Sequence, residues 1–101
     1  MDKFAILALL HAKPGKEAEL EEFLKSAQPL AVQETGTTSW YAVKLGPSKF
    51  GIFDTFANQA GRDAHLTGPI AKALMAKAEE LLAEPPQIEM LDILASKTPG
   101  V

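Results

Sequence analysis

The stretch Trp40–Gly68, WYAVKLGPSKFGIFDTFANQAGRDAHLTG, decides the fold. Its first half reads as a β-hairpin, with arms Ser39–Leu45 and Lys49–Ala57 rich in aromatic and β-branched residues. Gly46-Pro47-Ser48 between them is turn chemistry, because glycine permits a positive φ and proline presets its own. After Phe56 the pattern changes. Asn58 suits the N-cap of a helix that Gln59–Leu66 continues, and Gly68-Pro69 stops that helix and opens the next. His65 therefore falls at a helix end just past the sheet, where any chemistry in this chain is expected.

Upstream, Lys3–Lys13 reads as a strand. Phe4, Ile6, Ala8 and Leu10 alternate with Ala5, Leu7 and Leu9, as in a strand buried on both faces. A signal peptide would need Lys3 as its charged end and Ala12 at its cleavage site, but the run is short, Asp2 precedes it, and cleavage would remove the first strand. Pro14-Gly15 ends this strand. Lys16–Glu34 is helical, with Leu20, Phe23, Leu24, Ala27, Leu30 and Ala31 at helical spacing. Pro29 predicts a kink or a break, and Gly36 a C-terminal cap. Downstream, a longer helix spans Pro69–Ala83, Pro85-Pro86 ends it, and Gln87–Ser96 is the last strand. Residues 97–101 read as a loose tail on a single domain covering 1–101.

The order β-α-β-β-α-β is that of a ferredoxin-like α+β fold with a four-stranded antiparallel sheet. Geometry adds a step. Strands lie about 4.8 Å apart and a helix with its side chains is roughly 10–12 Å wide, so the helices cover one face of four strands. The first and last strands are apolar on both faces, and the uncovered face would leave a larger patch than soluble monomers tolerate. A second copy packed on that open face would make a homodimer, a dimeric α+β barrel.

Composition narrows the function classes. Of 101 residues 47% are hydrophobic and 23% charged, and the net charge is −3 with the basic residues scattered. No basic stripe exists, so a nucleic-acid partner is not expected. No segment is long enough to span a bilayer, and a membrane partner is not expected. The chain has no cysteine, which excludes disulfides and thiolate metal sites and fits a reducing, cytoplasmic compartment. There is no Gly-rich phosphate loop, HExxH, serine elbow or paired zinc ligand set.

What remains is a group of polar and aromatic residues on apolar elements. His65 is a candidate general base, or a capping histidine whose charged form the helix C-terminus favours. Asp54, on a strand between Phe53 and Thr55, needs partners if buried. Lys44 or Arg62 could form a structural ion pair with it, or Asp54 could orient His65 or bind a substrate hydroxyl. Asp92 has the same ambiguity. Trp40 and Tyr41 point to opposite faces of one strand, so one packs under the helices and the other faces the barrel interior, where His11 could also point. Strand parity leaves the pocket-lining face open, and the candidate lining set of Trp40, Tyr41, Phe53, Leu9, Met90 and His11 spans both.

A first strand followed by KPGKEAELEEFL, then ETGTTSWYAVK, then FGIFDTF and RDAHL, resembles the antibiotic biosynthesis monooxygenase (ABM) domain family over nearly the whole chain. The resemblance implies a dimeric α+β barrel with a pocket between sheet and helices. Some members of that family oxygenate polycyclic phenols or quinols with neither metal nor flavin, and others degrade haem. The residues carried over are His65, for the histidine after the short helix, and Asp54, for the acid on the preceding strand; Phe56 stands where many members have tryptophan. The haem-degrading branch looks for an asparagine in strand one and a tryptophan before the histidine. FAILALLHA and NQAGRDAHL offer neither, so haem is disfavoured. The resemblance implies an oxidoreductase, a monooxygenase that oxidises an aromatic small molecule with O2 as cosubstrate and no cofactor. Two other readings keep the same dimer: a small-molecule binding module without turnover, and an isomerase or lyase suggested by fold analogy alone.

Overall fold

In the computed structural model, which describes residues 2–99, seven elements follow one another: β1 (Phe4–His11), α1 (Glu17–Gln33), β2 (Thr37–Lys44), β3 (Lys49–Phe56), α2 (Gln59–Leu66), α3 (Pro69–Leu81) and β4 (Gln87–Asp92). The four strands form one sheet in the order β2-β3-β1-β4, every neighbouring pair antiparallel. This is the ferredoxin-like α+β arrangement expected from the sequence.

Strand parity divides most of the sheet, although Ala5 of the other parity is also buried. On β1 the even residues Ile6, Ala8 and Leu10 are buried with Phe50, Ile52 and Phe56 of β3, and Leu20, Leu24, Leu74 and Leu81 of the helices close over them. The opposite face carries Leu7, Leu9, Phe53, Tyr41 and Val43, all half-buried or exposed; Tyr41 leaves 58% of its surface accessible. The helices cover one face only, and the other is an apolar sheet surface.

Local expectations fare unevenly. The side chain of Asn58 accepts a hydrogen bond from the Gly61 N–H at 2.8 Å and caps α2, and Pro69 takes the first turn of α3 after Gly68. The break expected at Pro29 does not occur: one continuous helix runs from Glu17 to Gln33 with the proline inside it. The buried stripe Leu20, Leu24, Ala27 and Ala31 crosses the proline without changing sides, so packing outweighs one lost backbone bond. The hairpin turn needs no left-handed residue. Lys49 C=O accepts from the N–H groups of Leu45 and Gly46, and the positive φ among the described residues belongs to Gly15, at 85° in the turn after β1. β4 is shorter than read, ending at Asp92 rather than Ser96, and α3 ends at Leu81 because the chain there joins β1: Leu82 bridges Ala12, and Ala83 N–H donates to His11 C=O. Of the expected tail, residues 97–99 carry no regular secondary structure, while 100 and 101 lie outside the described residues.

Gly36 does not cap α1 through a left-handed turn. Its backbone lies against Gly61 in α2, so closely that a Cβ built on Gly36 would stand 2.7 Å from Gly61 Cα, and one on Gly61 2.8 Å from the Gly36 carbonyl oxygen. No side chain fits between them. This contact brings the end of α1 beside α2.

Candidate functional site

The sheet register places three of the expected residues in one row across the helix-facing side. Trp40 of β2 lies opposite Asp54 of β3, Asp54 opposite Ile6 of β1, and Ile6 opposite Met90 of β4. Partners across a ladder share a face, so Trp40, Asp54 and Met90 all point to the helix side. Trp40 packs among Ala27, Leu30, Ala31 and Ile70, Asp54 is fully buried, and Met90, on the edge strand, remains 48% exposed.

Above this row stands His65. α2 is amphipathic, and His65 is its buried residue. The ring lies 5.3 Å from Phe56, centroid to centroid, and both nitrogens face carboxylates. Nδ1 is 2.6 Å from Glu34 Oε1 and Nε2 is 2.9 Å from Asp54 Oδ2, with 9% of the His65 side chain exposed and none of Asp54. Burial disfavours the imidazolium, but hydrogen bonds and charge from Asp54 and Glu34 outweigh it and raise the His65 pKa to about 9. His65 is therefore charged at neutral pH, with each ring nitrogen beside a carboxylate. The two contacts differ in kind. Glu34 has hydrogen-bond geometry, whereas the Nε2–H is not aimed squarely at Asp54, whose two oxygens lack a well-directed donor, so Asp54 is held chiefly by charge.

Glu34 is the residue that sequence reasoning missed. It follows the last turn of α1, where a glutamate ordinarily faces water, yet its Oε1 also accepts from the Thr37 hydroxyl at 2.7 Å while its Oε2 is buried without a partner. Neither cation proposed as a partner for Asp54 reaches it. Lys44 pairs with Glu21 at 3.5 Å, and Arg62 donates to the Leu91 carbonyl and lies over the Phe4 ring.

The remaining candidates are elsewhere. Leu9, Tyr41, Phe53 and His11 belong to the open sheet face, separated from His65 by the sheet itself. His11 is exposed at the end of β1 and lies 3.3 Å from Glu84; Asp92, at the end of β4, is exposed. Among the described residues no cluster of His, Cys, Asp and Glu is arranged to hold a metal ion. No helix among them is long and apolar enough to cross a membrane.

β2 is an edge strand of the sheet. A groove of about 260 Å³ lies between α1 and this edge strand, lined by Gln28, Ala31, Val32, Thr37, Thr38, Ser39 and Trp40. Trp40 is thus both a groove wall and the cross-strand neighbour of Asp54.

The NE2512 protein of Nitrosomonas europaea, a protein of unknown function, superposes on the chain with a TM-score of 0.96 at 57% sequence identity, covering 100% of this chain and 98% of its own. The chain belongs to the same family as NE2512. Other structural neighbours of this chain include a protein named as a putative antibiotic biosynthesis monooxygenase from Nitrosomonas europaea, with a TM-score of 0.81 at 14% identity over 91% of this chain and 99% of that one. Another, named likewise, comes from Caulobacter crescentus, with a TM-score of 0.77 at 23% identity over 93% and 92%. The resemblance read from the sequence is met here at the level of the fold. No protein-family model matches the chain, nor does any curated protein.

Proposed function

We propose that the chain is an oxygenase of the ABM type, oxidising a phenolic or quinol-type aromatic molecule with O2 and without a cofactor. The observation that carries this reading is a buried histidine between two carboxylates, one of which shares a row with a groove wall, on a fold shared with proteins named as putative monooxygenases of that kind.

The charge state assigns the roles. His65, protonated below about pH 9, is not the base that removes a phenolic proton. That role falls to Asp54, whose Oδ1 has no donor. The cation beside it stabilises the phenolate as it forms. The phenolate transfers an electron to O2, and the superoxide and aryloxyl radical combine at a ring carbon that bears hydrogen, para to the oxygen in a phenol or ortho to it in a quinol. Loss of water from the peroxide leaves the quinone. A phenol and O2 thus give a para-quinone and water: the substrate supplies four electrons, one oxygen atom enters the ring as C=O, and the other leaves as water. A water-excluding, apolar surround such as Leu30, Ile70 and Phe56 suits this chemistry. The apolar open face supports the companion proposal of a homodimer through that face.

One observation favours binding without turnover. The groove carries no titratable side chain of its own, and Trp40 stands at its wall. Oxygen uptake by metal-stripped protein with hydroquinones, naphthohydroquinones and anthrones separates the readings. Uptake above autoxidation should fall at least about a hundredfold in Asp54→Asn, the scale of a lost general base. Uptake that is absent with every compound moves the assignment to the binding reading, and uptake that survives Asp54→Asn removes Asp54 as the base.

A further inference from the structure

On the sheet face away from His65, β2 and β3 set four side chains in a small array. Tyr41 lies opposite Phe53 and Ser39 opposite Thr55, and partners across a ladder share a face. Two aromatic rings are therefore followed, about 6.5 Å further along the strands, by two hydroxyls. The array floors a cavity of about 570 Å³ to which Asp2 contributes, and whose other wall is the segment 93–98 that follows β4. Floor and wall belong to one chain, so the cavity forms without a second copy. Its volume is that of a small-molecule site. The hydroxyls on its floor have a direction, because each has one proton to donate. The Thr38 hydroxyl donates to the Asp2 carboxylate. Thr55 Oγ1, 2.7 Å from Thr38 Oγ1, must then donate to Thr38. Ser39 Oγ, 2.5 Å from Thr55 Oγ1, must in turn donate to Thr55. All three protons run toward Asp2, and Ser39 Oγ ends the chain as an acceptor only.

We infer that this cavity is a second ligand site, taking an aromatic ring that carries a primary ammonium on a short chain. The site lies across the sheet from His65 and is independent of the oxygenase reading. Tyr41 and Phe53 offer an aromatic ring two rings to pack on, and the faces of such rings attract cations. Ser39 Oγ needs a donor, and a hydrogen-bonded chain that ends in a carboxylate polarises its lone pairs toward one. An ammonium supplies that donor with the charge that makes such a bond strong. A ligand hydroxyl donates without the charge, and a ligand carboxylate has no proton to give. Lys97 is the one cation in the lining; it is exposed, and Asp2 balances its charge. Water is the competing occupant, because it too donates to Ser39.

The test titrates 2-phenylethylamine, 2-phenylethanol and 3-phenylpropionate by calorimetry into the wild type, Ser39→Ala and Thr38→Val. The wild type should bind the amine about tenfold or more tighter than the alcohol, the scale of a charged hydrogen bond over a neutral one, and the carboxylate more weakly than either. In Ser39→Ala the preference for the amine should fall below about threefold. Thr38→Val cuts the chain from Asp2, so Ser39 and Thr55 are no longer bound to one direction, and the alcohol should gain on the amine while both still bind. Tyr41 and Phe53 also belong to the face proposed for the homodimer. Sedimentation at the wild-type mass and unchanged far-ultraviolet circular dichroism therefore accompany each variant, and separate loss of the acceptor from loss of assembly or fold. Equal affinity for amine and alcohol in the wild type, no saturable amine binding at millimolar concentration, or a preference that survives Ser39→Ala overturns the site and leaves water as the occupant. Oxygen uptake plays no part in the test, so its outcome and that of the oxygenase reading are scored separately.

Discussion

His65 carries its charge because two carboxylates approach it inside the protein, and that has a sign in pH. Its folded pKa of about 9 lies above the ordinary 6.5. The stabilisation is fully present below pH 6.5, where folded and unfolded chains both hold the proton, and is lost as pH rises through 9. At about 1.4 kcal/mol per unit, the contribution is about 3 kcal/mol. Urea unfolding should show stability falling by roughly that amount between pH 6 and pH 10, and His65→Gln should flatten the slope; an unchanged slope would mean that the ring is neutral. At this scale half of the site was legible. Asp54 on a strand and His65 on the following helix were both visible as polar residues among apolar ones, and Asp54 orienting His65 was one of the alternatives. Glu34 was not, because a glutamate beyond a helix end carries no mark of burial; only folding brings it under α2. The face of Trp40 could not be chosen either, since Tyr41 beside it is equally aromatic and parity alone does not say which side the helices cover.

At the scale of elements, α1 and α2 are held together where Gly36 meets Gly61. An alanine at either position has backbone in its way, and relief requires the helices to part. Gly61→Ala should cost about 1–3 kcal/mol, the range for overpacked sites. It should also weaken the alkaline dependence described for His65, since the displaced Glu34 is what faces Nδ1. A Gly61→Ala protein with wild-type stability and pH profile would show that the contact is dispensable. Element order, the Asn58 cap and the Pro69 start were readable because their signals are local. The Gly36 contact was read as a cap because a glycine needed for close approach looks in sequence like a glycine needed for positive φ.

For the whole molecule, the decisive quantity is the sheet face away from the helices. Tyr41, Val43, Leu7, Leu9 and Phe53 lie on it without helical cover. Sedimentation should give twice the 10.8 kDa chain mass at micromolar concentration, and a Tyr41→Lys, Val43→Lys double substitution should shift the protein to 10.8 kDa while leaving its circular dichroism intact. A wild-type protein sedimenting as the single chain ends the dimer proposal. The apolar character of both faces of β1 was legible from alternation; which strand residues face which way was settled by the register.

The chain has no cysteine with which to cross-link itself, yet the Glu34–His65 contact joins residues 31 positions apart in sequence. It encloses the whole hairpin, β2 and β3, in a closed ring of chain. A disulfide at the same place would shrink the unfolded ensemble and act in every state of the protein. An ionic clasp acts only once the fold has formed, so it leaves the unfolded chain as free as before and imposes no loop-closure constraint on it. The hairpin is therefore secured in the native state by a fastening that needs no oxidant to make and no reductant to undo.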